Sequence, residues 1–399
     1  MAKSTKKSTE IATEIQLEPT LYIVDGDDFE REYESKRGDK KKNLWLTLLF
    51  IVLNTAAIAF VIVSEQMSGS AIASFDMALV AIGENIGFFI ASLMIYLIVM
   101  MIDTMGYSSV IKLVTGKHQI GTGFRVGAMG RYYDNITPLA TGGQPFQIYT
   151  LLKRGLTASE ASSVTIGRYV IKQFTWCLFI AIMLIIAPMI CPTFTLDPIV
   201  ATAAYIGIVT WTSVPLFITF VSVNRKVGLN IVIGIVKLLY KLRIVKNFSK
   251  ALTSTVSKVN SYRASMSEIV SNKKELFRQI ALVIIEAILT FSIPFFVYKS
   301  FGGTTYMQLD TVQTWLSLAL AFMYSQCAVS FIPTPGTSGA AEISFKAVFS
   351  TYFAGIAGGN MMFWGMLLWR FLTYYVYIVV GLIVMLSDAI TKWIKKKRK

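Results

Sequence analysis

Runs of about 20 predominantly apolar residues, the length a helix needs to cross the hydrocarbon of a bilayer, recur along this chain. Six stand out: Leu44 to Val63, Met77 to Met101, Thr165 to Met189, Ile199 to Ser222, Ile280 to Val297 and Met361 to Leu386. A seventh, Val312 to Ile332, is long enough but ends in a Pro/Gly-rich sequence. Only 15% of the 399 residues are charged, against roughly a quarter in a soluble domain. The expected fold class is an all-α polytopic membrane protein, because in lipid a helix satisfies its own backbone hydrogen bonds.

The same composition removes several kinds of chemistry. The three cysteines, Cys177, Cys191 and Cys327, form no CxxC pair, and His118 is the single histidine. Disulfide frameworks, zinc sites and Ser-His-Asp catalysis therefore lack their residues. No metal or cofactor is expected. The start MAKSTKKSTE is followed by no apolar h-region, so no cleavable signal peptide is expected.

The net charge of +15 becomes informative once it is located. Basic residues gather in the cytoplasmic loops of membrane proteins. They cluster at Lys36 to Lys42, at twelve positions from Arg225 to Arg278, and at Lys395 to Lys399. The alternate loops, Ser64 to Asp76, Ile190 to Pro198, Lys299 to Thr311 and Phe353 to Asn360, hold one basic residue, Lys299. Both termini are predicted cytoplasmic. The expected organisation is a disordered tail over 1–42, a first membrane half over 43–224, a basic amphipathic linker over 225–278, a second half over 279–388 and a basic tail over 389–399.

Parity then constrains two ambiguous segments. Ile102 to Val164 must begin and end in the cytoplasm, and Val312 to Phe353 must begin and end outside. The first carries Lys112, Lys117, Arg125, Arg131, Lys153 and Arg154, too many charges for lipid-facing spans. It is predicted to be a re-entrant hairpin at about 104–155. The second is predicted as a hairpin at about 312–353, with two full spans as the alternative.

The tips of these segments resemble one another. Ile136 to Ile148 can be laid over Phe331 to Ile343 without a gap, so that Pro138 meets Pro333 and Gln147 meets Glu342. Each tip is followed by a span with an arginine before an aromatic, Arg168-Tyr169 and Arg370-Phe371. With opposite senses of insertion, the units Met77 to Met189 and Ile280 to Leu386 are expected to be inverted repeats. In transporters the substrate site lies where two such interrupted segments meet.

Pro and Gly break the incoming helix, and fresh helices are predicted at Gln144 to Leu152 and Ala340 to Thr351. A helix N-terminus presents unpaired N–H groups and about half a positive charge. Gly142, Gly143 and Gly339 open these helices, and with Arg168 and Arg370 they form an expected anion cradle suited to a lipid phosphate. The competing reading of Arg370 is a structural ion pair with Glu342.

The run Gly130-Arg131-Tyr132-Tyr133-Asp134-Asn135-Ile136-Thr137-Pro138, then Gly142 to Pro145, Leu151 to Gly155, and Pro333 to Gly336 with Gly339 and Glu342, resembles the lysylphosphatidylglycerol synthase transmembrane-region family. That family includes the flippase half of bacterial MprF proteins. The resemblance covers roughly Asn43 to Asp388. It implies lipid translocation across the bacterial cytoplasmic membrane, with aminoacyl-phosphatidylglycerol or another phospholipid or glycolipid as substrate. MprF proteins carry a soluble aminoacyl-transferase domain after the membrane part. No such domain is expected here.

Other residues complete the expected site. Arg131, Asp134 and Asn135 lie just before the first tip and suit a cytoplasmic gate or a local Asp-Arg bond. Glu84 and Glu286 are intramembrane carboxylates suited to proton or cation coupling, or to hydrogen bonding between helices. Gly83 and Gly87 have the GxxxG spacing of close helix packing.

The leading expectation is a lipid flippase. The alternatives are a membrane-embedded lipid-modifying transferase using Asp134, Glu84 or Glu342, and an accessory subunit of a lipid synthase. Expected partners are membrane lipids, including the anionic inner leaflet, with a separate synthase and a second copy of the chain as further candidates. Nothing points to nucleic acid.

Overall fold

Helix boundaries in this chain are set by short local signals. In the computed structural model, Ser74 accepts from the Met77 N–H and starts α1 (Phe75–Glu84). Asn272 does the same for Glu275 at the head of α8 (Lys273–Ser300). Asp310 and Gln313 form a reciprocal capping box at the head of α9 (Thr311–Val329). At the other end of a helix, Gly116 takes a left-handed φ of 74° and stops α2 (Ile86–Thr115).

The described residues are 63 and 72–397 apart from 138–139, 141, 192–193, 195–197, 224, 242–246, 250, 254–255, 257–266, 268–270, 305–309, 333, 355 and 357–358. The predicted span Leu44 to Val63, the tail over 1–42, most of the linker after Lys241, and Pro138 and Pro333 therefore lie outside the described residues or almost wholly so. The remaining helices are α3 (Ile120–Ile136), α4 (Gly143–Leu152), α5 (Ala158–Ile190), α6 (Pro198–Val223), α7 (Arg225–Lys241), α10 (Ala340–Ala354), α11 (Met362–Arg370) and α12 (Val376–Lys397). A 3-10 turn over Pro335–Thr337 lies between α9 and α10, and a π turn over Phe371–Tyr375 joins α11 to α12. Among the described residues there is no β-strand, as the all-α expectation requires.

Among the described residues, five helical stretches are long and apolar enough to cross a membrane: Ile86–Thr115, Glu160–Ile186, Pro198–Phe217, Lys273–Ser300 and Met362–Asp388. Each coincides with a predicted span, with one shift. The run Met77 to Met101 is not one helix, because the backbone breaks at Asn85 and α2 then continues to Thr115. It thereby passes the expected start of the first hairpin at about 104. That extra length is polar, with Asp103, Thr104, Ser108 and Ser109, and these side chains are buried in protein. Gly83 and Gly87 do not make the close packing that their spacing suggested: a Cβ at either meets nothing within 4 Å among the described residues.

The outer face of α2 shows what surrounds the protein. Ile86, Ile90, Met94, Leu97, Met101 and Met105 form one exposed apolar stripe, a surface that suits hydrocarbon and not water. Its inner face packs on α8, which also contacts α5, α9 and α11. In the second half the core is aromatic, with Phe345 stacked on Trp369 at 4.6 Å and Phe322 meeting Trp369 edge-on at 5.7 Å.

Both ambiguous segments fold as pairs of packed helices with a break between. In the first, α3 runs to Ile136 and α4 restarts at Gly143; in the second, α9 ends at Val329 and α10 begins at Ala340. The fresh helices thus start where Pro and Gly predicted. The 15 residues of α10 rise about 22 Å, short of the roughly 30 Å hydrocarbon thickness.

Candidate functional site

Five charged side chains from four helices meet in one cluster. Asp103 comes from α2, Arg131 from α3, Arg168 and Lys172 from α5, and Glu286 from α8. Arg168 and Lys172 are four residues apart, one helical turn, so they share a face. Asp103 Oδ2 accepts from Arg131 Nε at 3.0 Å and Nη2 at 2.9 Å. Its Oδ1 accepts from Arg168 Nη2 at 2.9 Å and Lys172 Nζ at 3.1 Å. Glu286 Oε1 accepts from Arg131 Nη2 at 2.5 Å and Lys172 Nζ at 2.7 Å.

The cluster carries three cations and two carboxylates, one positive charge in excess. Exposure divides it: Arg168 and Glu286 side chains are each 1% exposed, whereas Arg131 is 31% and Lys172 26% exposed. A buried, anion-bound floor thus supports a cationic rim. A small cleft between α2, α3 and α12 is lined by Met100, Phe124, Ala128 and Val380 together with Asp103, Arg131 and Tyr377. The Arg131 guanidinium lies 5.0 Å above the Tyr377 ring.

Missing side chains create the space. A Cβ at Gly106 would overlap the Arg168 guanidinium, so only glycine lets that group pack against α2. A Cβ at Gly123 would stand 2.6 Å from the Thr104 carbonyl, so glycine there lets α3 press on α2. From Arg168 the network continues inward: Nη1 donates to Gln279, whose Nε2 donates to Glu275 at 2.6 Å and Ser109 at 2.7 Å. Gln147 reaches it indirectly, donating to the Tyr107 hydroxyl at 2.7 Å beneath Arg168.

The second arginine sits differently. Arg370 Nε donates to Glu342 Oε1 at 2.6 Å, and Glu342 Oε2 accepts from the Gly339 N–H at 2.8 Å. Both side chains are buried, 6% and 2% exposed. This is the structural ion pair. The guanidinium also lies 5.0 Å from the rings of Trp369 and Tyr374.

Tyr374, placed by the π turn, brings the two tips together. Its hydroxyl donates to the Asn135 carbonyl at 3.3 Å, and Asn135 Nδ2 donates back to the Tyr374 carbonyl at 3.5 Å. Its ring covers Gly336, whose φ of 57° is left-handed and whose missing Cβ leaves room for that ring.

The two fresh helix starts already hold acidic partners. Asp134 Oδ1 accepts from the Gly143 N–H at 2.8 Å, and Thr137 accepts from the Gly142 N–H at 2.9 Å. With Glu342 on Gly339, each tip thus carries its own carboxylate cap. Glu84 is exposed beside the Asn85 break and does not join the cluster.

Of the sequence-derived residues, Arg131 pairs with Glu286 and Arg168 joins them through Asp103, while Asn135, Glu342, Gly339 and Arg370 gather around Tyr374 and the second tip. Asp103 and Lys172 were not foreseen. Lys172 had a signal, lying within a predicted span one turn from Arg168. Asp103 lies two residues beyond the predicted end of its span, where the apolar run gives no sign that the helix continues.

The family model for the lysylphosphatidylglycerol synthase TM region matches residues 44–381, most of the chain. No curated protein and no solved structure matches it.

Proposed function

The chain belongs to the lysylphosphatidylglycerol synthase TM-region family, and from that premise we propose that this multi-pass membrane protein is a lipid flippase. The observation that carries the reading is the cluster of Asp103, Arg131, Arg168, Lys172 and Glu286, with its excess positive charge and two half-exposed cations. Arg131, Lys172 and Arg168 share only two carboxylates, and an unmatched charge in hydrocarbon costs several kcal/mol, so the excess at partly exposed Arg131 and Lys172 suits an anion. A phosphodiester headgroup supplies one. Arg131 and Lys172 hold its phosphate, Arg168 and Asp103 hold those two in place, and the acyl chains stay along the apolar wall of Met100, Phe124 and Val380.

In this reading the termini and the linker over 225–278 are cytoplasmic, the two hairpins are re-entrant and related as inverted repeats, and the membrane is the bacterial cytoplasmic one. Tyr374, Asn135 and Gly336 mark where the tips meet, and movement there opens the cluster alternately to each side. Aminoacyl-phosphatidylglycerol fits because its phosphate suits the cationic rim. Asp134 and Glu342, offered above as transferase groups, are occupied as helix caps, which favours transport over chemistry on the lipid.

The test is headgroup translocation in proteoliposomes by Arg131→Ala and Lys172→Ala. Each removes charged hydrogen bonds worth about 1.5–3 kcal/mol, so rates should fall tenfold or more. Unchanged rates with intact folding overturn the site assignment. Mass spectrometry of lipid retained by the purified protein identifies the headgroup.

A further inference from the structure

We propose that lipid binding at this site is coupled to uptake of one proton by Glu286; the proposal rests on the anionic-headgroup reading above. The two carboxylates of the cluster are used unequally. Asp103 spends both oxygens, Oδ2 on Arg131 and Oδ1 on Arg168 and Lys172. Glu286 takes Arg131 and Lys172 on Oε1 alone, while its Oε2 is buried with no hydrogen-bond partner among the described residues. A buried carboxylate oxygen without a donor carries an uncompensated desolvation cost. It is an open seat for a proton.

The two cations that Glu286 holds are the two half-exposed ones that face the anion. Glu286 therefore competes with the headgroup for the same donors. A proton from water adds to Oε2 and makes the carboxyl neutral. Arg131 Nη2 and Lys172 Nζ lose an ionic partner and turn to the phosphate oxygens. When the phosphate leaves on the other side, the two cations return to Oε1 and the proton is released to that side. Charge in the cluster is conserved, since one proton replaces the charge that the phosphate brings.

Other titratable groups also face these cations. From α2 come Asp103, whose oxygens are both used, and Tyr96 and Tyr107; from α3 come Arg131 and Asp134, whose Oδ1 accepts from the Gly143 N–H; from α5 come Arg168 and Lys172. Helix α9 contributes no charged residue, only Tyr324 and Cys327 as titratable groups. Arg370 of α11 is paired with Glu342, and Tyr377 of α12 lies under Arg131.

The experiment is calorimetric titration of the full-length protein in detergent with dihexanoylphosphatidylglycerol, in buffers of different ionisation heat. Wild type should take up one proton per lipid bound, and its dissociation constant should rise about tenfold per pH unit. Glu286→Gln should bind the lipid with no proton uptake and no pH slope. Binding by wild type without proton uptake overturns the coupling and leaves the anionic-headgroup reading standing. Absence of binding at every pH overturns that reading and the coupling with it. If Glu286→Gln does not fold, Asp134→Asn separates the two carboxylates: proton uptake that persists in it supports Glu286, and uptake lost with it overturns the assignment.

Discussion

Arg168 and Arg370 follow similar tips in similar sequence settings, yet their surroundings diverge. Arg370 meets one carboxylate, Glu342, in a closed pair sealed by Trp369 and Tyr374. Arg168 shares Asp103 with two further cations, both partly exposed, and one of them, Arg131, lines a cleft. A balanced buried pair holds a fold in one arrangement; an unbalanced cluster with an open rim has capacity left for a ligand. Two arginines that each follow a broken tip thus stand in different settings, one closed in a single pair and the other in a cluster with partly exposed cations.

That contrast can be broken at several points. The largest effect is expected from Glu342→Ala, which strands Arg370 in the core and uncaps Gly339. It should cost about 3–5 kcal/mol, read by unfolding in detergent, and the double variant with Arg370→Met should recover most of it. A stable single variant would refute the closed-pair assignment. Next comes Gly123→Ala, which forces α3 off the Thr104 carbonyl at 2.6 Å. Overpacking of this kind costs about 1–3 kcal/mol, and translocation should fall with it because α3 carries Arg131.

Lys172→Met sharpens the comparison from the other side. Asp103 keeps both arginines and Glu286 keeps Arg131, so stability should change by less than about 1 kcal/mol, as for partly exposed pairs, while lipid translocation slows. Stability loss equal to that of Glu342→Ala would make the two halves equivalent after all. The smallest effect is expected at Asp388, 42% exposed, which takes Arg125 and Arg154 at 3.2 Å each. Asp388→Asn should shift unfolding by about 0.5 kcal/mol or less.

Much of the architecture was legible in the residues, for identifiable reasons. Apolar runs mark helices because lipid leaves the backbone no other partner, and Pro and Gly mark breaks because they remove donors or permit left-handed backbone. So α5, α6, α8 and the restarts at Gly143 and Ala340 lie where expected. The break at Asn85 lies inside a predominantly apolar run, where hydropathy averaged over a span smooths out the Glu84-Asn85 pair; Asn85 turns its amide back on the Ala81 carbonyl at 2.9 Å. The first tip, with Arg168 nearby, reads as part of an anion cradle, but in the structure its Gly143 N–H donates to Asp134 and its Gly142 N–H to Thr137.

What the residues determined unaided was the solvent of the fold, the stretches that become helix and the places where helices stop, all of which depend on neighbours within a few turns. Which charge answers which was decided only by the tertiary structure. Asp103 meets Arg131 28 residues away and Arg168 65 residues away, and Arg131 meets Glu286 across 155 residues. Such pairings depend on how each helix is rotated about its axis against the others. That rotation is set by packing, here by glycines that admit Arg168 and α3 to the surface of α2, and no local pattern encodes it.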